Sequence, residues 1–194
     1  MPEGKSLPVE FDELLAAEFN YIAQTAIQAN EDRARVSSFY LIAVGSLVAA
    51  IVGAQYIDPS LITVDPNILF SGLFILLTLL GTSTVMQLAR LRLAWYESAM
   101  AMNRIKDYMM SKDKTLVDAF RWTTNTLPPK FKKDSVSYYQ AIEVALISGL
   151  MFGTAVFFLQ NVILPAGSLQ FLLPVVAGIL TTYVQVRLYR QTLR

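Results

Sequence analysis

The stretch Val36-Ser-Ser-Phe-Tyr-Leu-Ile-Ala-Val-Gly-Ser-Leu-Val-Ala-Ala-Ile-Val-Gly-Ala-Gln-Tyr-Ile57 contains no Asp, Glu, Lys or Arg over 22 residues. A helix of that length extends about 33 Å at 1.5 Å per residue, enough to cross roughly 30 Å of hydrocarbon. Three further stretches share the property: Pro66 to Ala89 (24 residues), Val144 to Pro165 (22) and Leu169 to Val186 (18). Backbone polar groups inside a bilayer find no water, so such segments must satisfy one another as helices. The expected fold is all-α, a polytopic membrane protein with four transmembrane helices over 36–57, 66–89, 136–160 and 169–187. Composition agrees, with 54% hydrophobic and 16% charged residues, where a soluble domain would carry about a quarter charged. At 194 residues the chain reads as a single membrane domain, because the remainder is divided among short pieces.

The net charge of +1 conceals a strong asymmetry. Residues 1–35 hold seven acids and three bases, and residues 90–135 hold ten bases and five acids. Of the 16 Lys and Arg residues, three precede the first span, ten lie between the second and third, and three follow the fourth. Basic residues near span ends stay on the cytoplasmic side, so both termini and the 90–134 loop are expected in the cytoplasm. The start Met1-Pro2-Glu3-Gly4 lacks a basic region followed by an apolar core, so insertion is expected to begin with the first span.

Outside the spans, Phe11, Leu15, Phe19, Ile22, Ala26 and Ala29 recur at helical spacing, which predicts a helix over 9–35 running directly into span one. Leu91, Trp95, Ser98, Met102, Ile105 and Met109 continue span two as a heptad-like stripe, which predicts a cytosolic extension of that helix. One extension is acidic and the other basic, and both leave a short hairpin side by side. They are expected to pair antiparallel, in the manner of a coiled coil. Thr115 to Asp118 matches a capping box with Asp for Glu and predicts a short helix through Trp122, and Asp134-Ser135 is expected to cap span three.

Candidate functional residues are few. The absence of Cys and His removes thiol chemistry, disulfides, the commonest general base and the commonest transition-metal ligand, and no phosphate loop or dinucleotide fingerprint occurs. No enzymatic activity, cofactor, metal or nucleic-acid partner is expected. Glu143 is the one acid well inside an apolar helix, and an intramembrane charge calls for a partner. Arg187 and Arg90, at similar depth, are the expected partners in a structural pair, with an ion or proton site and an exposed interfacial carboxylate as the alternatives. Gly45, Ala49 and Gly53 on span one, and Ala141, Ala145, Gly149 and Gly153 on span three, form rows of small residues that let helix backbones approach. Such rows serve either packing inside one bundle or an interface between subunits. Gly81-Thr82-Ser83-Thr84 places hydroxyls in span two, for a wet path or for bonds to the backbone. Lys130, Lys132 and Lys133 beside span three suit contact with anionic lipid headgroups.

The stretch Asn30-Glu-Asp-Arg-Ala-Arg-Val-Ser-Ser-Phe-Tyr-Leu41 resembles the juxtamembrane approach of small bacterial membrane proteins of the SLATT and RipA-like kind, and the resemblance covers residues 11–57. It implies a homo-oligomer, in some relatives a membrane-perturbing effector; the two further spans after the cytosolic helices depart from the SLATT plan. The expected function is that of a non-enzymatic homo-oligomeric membrane protein, pore-like or scaffold, whose cytosolic helices sense or bind a partner. The alternatives are a small ion- or proton-coupled transporter using Glu143, and an accessory subunit of a larger membrane complex.

Overall fold

A computed structural model describes residues 11–54, 64–163 and 170–194. Four long helices account for most of them: α1 (Phe11–Ala54), α2 (Pro66–Lys112), α3 (Val136–Ile163) and α4 (Leu172–Thr192). All four are long and apolar enough to cross a membrane, and no strand occurs among the described residues. Most of the two expected turns outside the spans, Asp58–Asp65 and Pro165–Ser168, falls beyond the described residues.

The 44 residues of α1 and the 47 of α2 reach about 66 and 70 Å at 1.5 Å per residue, roughly twice the hydrocarbon thickness. Each is therefore a span and an extension in one unbroken helix. The start of α2 is fixed locally. Asp65 Oδ1 accepts the Asn67 amide at 2.8 Å, and Pro66 occupies the first turn, where its missing N–H costs nothing. At α3 the cap is Ser135 alone, whose Oγ accepts the Tyr138 amide at 3.2 Å.

α2 is the central helix and packs on α1, α3 and α4; α3 packs on α4, and α1 approaches α3 only slightly. Two apolar clusters fill the bundle. One, at the extension end, joins Tyr40, Val85, Leu88, Ala141, Val144, Tyr189 and Leu193. The other, towards the hairpin end, joins Phe74, Leu77, Met151 and Ala155, with Phe158 stacked on Phe74 at 5.9 Å.

The two extensions lie antiparallel. The Thr25 and Ser98 hydroxyls share a hydrogen bond at 3.0 Å, Phe11 meets Tyr108 edge-on at 5.8 Å, and Lys106 Nζ sits 5.9 Å from the Phe19 ring. Ala26 and Ala29 are buried in this seam, which loosens towards its far end into a groove of about 770 Å³ lined by Phe11, Leu15, Phe19, Ile105, Met109 and Phe120. A second face of the α2 extension is covered by the loop that follows. Asn103 Nδ2 donates to the Thr123 carbonyl at 3.0 Å, and Arg92 Nε donates to the Lys130 carbonyl at 3.3 Å.

Within that loop the expected helix through Trp122 does not form. In its place stands a 3₁₀ turn, Lys114–Leu116, capped by Asp113, whose carboxylate accepts the Thr115 amide at 2.9 Å, and a second 3₁₀ turn follows at Thr124–Thr126. Because α2 runs on to Lys112, too few residues remain before the chain turns back for helix nucleation to be repaid.

Candidate functional site

Polar side chains from three helices meet inside the membrane-spanning bundle, and a fourth helix closes on them. Gln185 of α4 is 1% exposed, and its Nε2 donates to Thr82 Oγ1 of α2 and to Ser148 Oγ of α3, each at 2.8 Å. Both hydroxyls donate onward to one acceptor, the Thr78 carbonyl, at 2.9 and 3.2 Å. The direction of every bond follows. Each hydroxyl has a single proton, already given to Thr78, so it accepts from the amide and cannot donate to it. The Gln185 Oε1 atom is left buried without a donor among the described residues, and the hydroxyl of Tyr40 from α1 is buried close to Ser148.

Gly81 makes this convergence possible. A Cβ at that position would lie 2.5 Å from Ser148 Oγ and 2.7 Å from Tyr40 Oη, inside van der Waals contact. The absent side chain is what admits α3 and the Tyr40 ring to the centre. The node contains no acid or base and acts as a neutral polar lock. Interhelical hydrogen bonds in lipid contribute about 0.6 kcal/mol each.

The residues missed in the sequence reading are Tyr40, Ser148 and Gln185. A signal existed: Gly178, Thr182, Gln185 and Tyr189 recur at spacings of four, three and four, a small-and-polar face on an otherwise apolar helix. The hydroxyl run was legible, and it serves the backbone: Thr82 bonds to Thr78, and Thr84 donates to the Leu80 carbonyl at 2.9 Å.

The structure separates the two small-residue rows. Ala141, Ala145, Gly149 and Gly153 are all buried, and α4 fills their face. A Cβ on Gly149 would stand 2.6 Å from the Gly178 carbonyl oxygen, and one on Gly153 would stand 2.8 Å from that of Pro174. The row on α1 has no such counterpart among the described residues. Gly45, Ala49 and Gly53 are exposed, and a Cβ on either glycine meets nothing within 4 Å.

The expected pairing of Glu143 with Arg187 or Arg90 does not occur. All three are exposed, and the only ion pair among the described residues joins Arg35 to Asp32 at 3.3 Å. The reason is helical phase. Ala141, Val144, Ala145 and Ser148 define the inward face of α3, and Glu143 sits about 200° around the axis from Ala141, in an exposed stripe with Tyr139, Leu146 and Leu150. Of the three candidate lipid-contacting lysines, Lys132 and Lys133 are exposed, whereas Lys130 turns inward and places its Nζ 5.8 Å from the Tyr96 ring.

Comparison with protein families, with curated proteins and with solved structures gives no match to this chain.

Proposed function

We propose that this chain is a non-enzymatic, homo-oligomeric multi-pass membrane protein that assembles through the α1 face carrying Gly45, Ala49 and Gly53. The observation that carries the proposal is the contrast between the two small-residue rows. The α3 row is filled by α4 of the same chain, whereas the α1 row is left open. Glycines in a span expose backbone and give nothing back to lipid tails, yet they let a second helix approach closely enough for backbone contact. Homo-oligomer formation is also what the SLATT- and RipA-like resemblance of residues 11–57 implies.

In this reading the membrane is a bacterial inner membrane, and the termini and the 90–134 loop face the cytoplasm, where the paired α1 and α2 extensions bind a partner or sense a ligand. The polar node supports a scaffold over a pore within one subunit, because its hydroxyls are committed to Thr78 and Gln185 and line no water path. Exposed Glu143, with no ionic partner, supports the scaffold over an ion-coupled carrier.

Native mass spectrometry of the detergent-solubilised full-length protein tests the assembly. Wild type is expected to carry more than one subunit, and Gly45→Leu with Gly53→Leu to shift the population towards monomer. A wild-type protein that is monomeric in both detergent and lipid nanodiscs, or an unchanged subunit count in the double variant, refutes it.

A further inference from the structure

Arg33 and Arg92 lie just outside the apolar spans, three residues before Val36 and three after Ala89, hence about 4.5 Å along each helix axis from the end of its span. The antiparallel register set by Thr25 against Ser98 brings the two arginines to the same level of the bundle. Arg92 is only 8% exposed, and its one hydrogen bond is the Nε contact with the Lys130 carbonyl at 3.3 Å; its guanidinium rests 4.4 Å from the centroid of the Trp95 ring. Arg33 Nε is buried and has no hydrogen-bond partner. Neither arginine has an acidic partner among the described residues.

Two guanidiniums at one level of neighbouring helices, with no acid between them among the described residues, are electrostatically unfavourable. Burial holds both below the usual arginine range; the neighbouring Tyr189 hydroxyl offsets part of this for each, and the Arg33 charge adds a smaller downward push on Arg92. Guanidinium nevertheless stays protonated at neutral pH, so the charges remain and call for an anion. The surroundings add positive charge. Arg190 donates from Nη2 to Tyr138 Oη at 2.5 Å and lies 5.6 Å from the ring of Phe131, the residue after Lys130.

We infer that Arg33 and Arg92 form a binding site for a phosphate-type oxyanion at the extension end of the bundle. Guanidiniums present planar forks of N–H donors that match phosphate oxygens, and one anion between two of them relieves their repulsion while satisfying the orphaned Nε. Its depth is that of the phospholipid headgroup layer, which begins where the hydrocarbon ends. The site differs from the general attraction of Lys132 and Lys133, because Arg92 and the Arg33 Nε are buried in the bundle whereas both lysines are exposed.

The test uses the full-length protein in a neutral detergent, with dioctanoyl phosphatidylglycerol, dioctanoyl phosphatidylcholine and inorganic phosphate as probes. Retained lipid is counted by native mass spectrometry, and thermal stability is followed in parallel. Phosphatidylglycerol is expected to be retained in preference to phosphatidylcholine. Arg33→Gln is expected to weaken that retention by about tenfold or more, the scale of one lost charge-assisted hydrogen bond, whereas Lys132→Gln with Lys133→Gln leaves it within about twofold, as expected of exposed charges. If inorganic phosphate stabilises wild type but not Arg33→Gln and phosphatidylglycerol does neither, the oxyanion comes from a soluble ligand and the site stands. Since Arg33 makes no hydrogen bond among the described residues, lipid-free Arg33→Gln is expected to melt no lower than wild type. Retention of phosphatidylglycerol by Arg33→Gln equal to wild type, with no response to phosphate, overturns the site, as does a loss that the lysine variant reproduces in full.

Discussion

Replacing Gly149 by Ala probes the crossing of α3 and α4, and Gly45→Ala is its internal control. At Gly149 a Cβ would lie 2.1 Å from Thr182 Oγ1 and 2.6 Å from the Gly178 carbonyl oxygen, where ordinary contact begins at 3.4 Å. The hydroxyl can rotate away, but it then gives up its bonds to the Ala145 and Gly178 carbonyls at 3.2 and 3.0 Å. That forfeits about 0.6 kcal/mol for the interhelical bond. The Gly178 backbone has no such freedom, so the helices must separate by several tenths of an ångström, an overpacking cost of about 1–3 kcal/mol. The better helix propensity of Ala returns at most about 1 kcal/mol. The net expectation is a loss of about 0.6–3.6 kcal/mol for Gly149→Ala. Gly45→Ala meets nothing within 4 Å and keeps only the propensity gain of up to about 1 kcal/mol. Reversible unfolding in mixed SDS and neutral-detergent micelles, at dilutions that hold the chain monomeric, measures both. A Gly149→Ala protein as stable as wild type, or a Gly45→Ala protein equally damaged, would refute the assignment of one row to intrachain packing and the other to an open face.

Three further outcomes are expected. Gln185→Leu removes the orphaned Oε1 together with two donated bonds and should change stability by less than about 1.5 kcal/mol, while Gln185→Glu places a charge in the node and should cost several kcal/mol at neutral pH; the same unfolding assay compares them, and equal effects would contradict the neutral-lock reading. Ala26→Asp, at a position 6% exposed or less in the α1–α2 seam, should destabilise by about 2–4 kcal/mol through a buried unpaired charge, and an unchanged unfolding midpoint would mean that the extensions do not pack as described. For topology, single cysteines at Val64 and Thr126 should be labelled by an impermeant thiol reagent from opposite sides of intact cells, Val64 from outside; the reverse pattern would invert the proposed orientation.

The sequence by itself determined the class of fold, because a bilayer leaves a charge-free segment of about 20 residues almost no alternative to a helix. It also determined the long extensions and their antiparallel pairing, since the stripes through Phe19, Ala26 and Ala29 and through Trp95, Ser98 and Ile105 are periodic along a single helix and a short hairpin constrains their direction. Those are properties of one element and its neighbour in the chain. The direction in which each lone side chain points across the bundle was not determined in this way. Glu143 looked buried because its neighbours are apolar, and in lipid an apolar neighbour marks either the inside or the outside of the bundle. Only the rotation of α3, set by Gly149 and Gly153 against Gly178, turned Glu143 outward and Ser148 inward. The two small-residue rows are likewise indistinguishable in sequence, and α4 lies on one of them alone. The meeting of Tyr40, Thr82, Ser148 and Gln185 joins residues far apart in the chain, and it was decided by the tertiary packing of helices whose rotations no local pattern specifies.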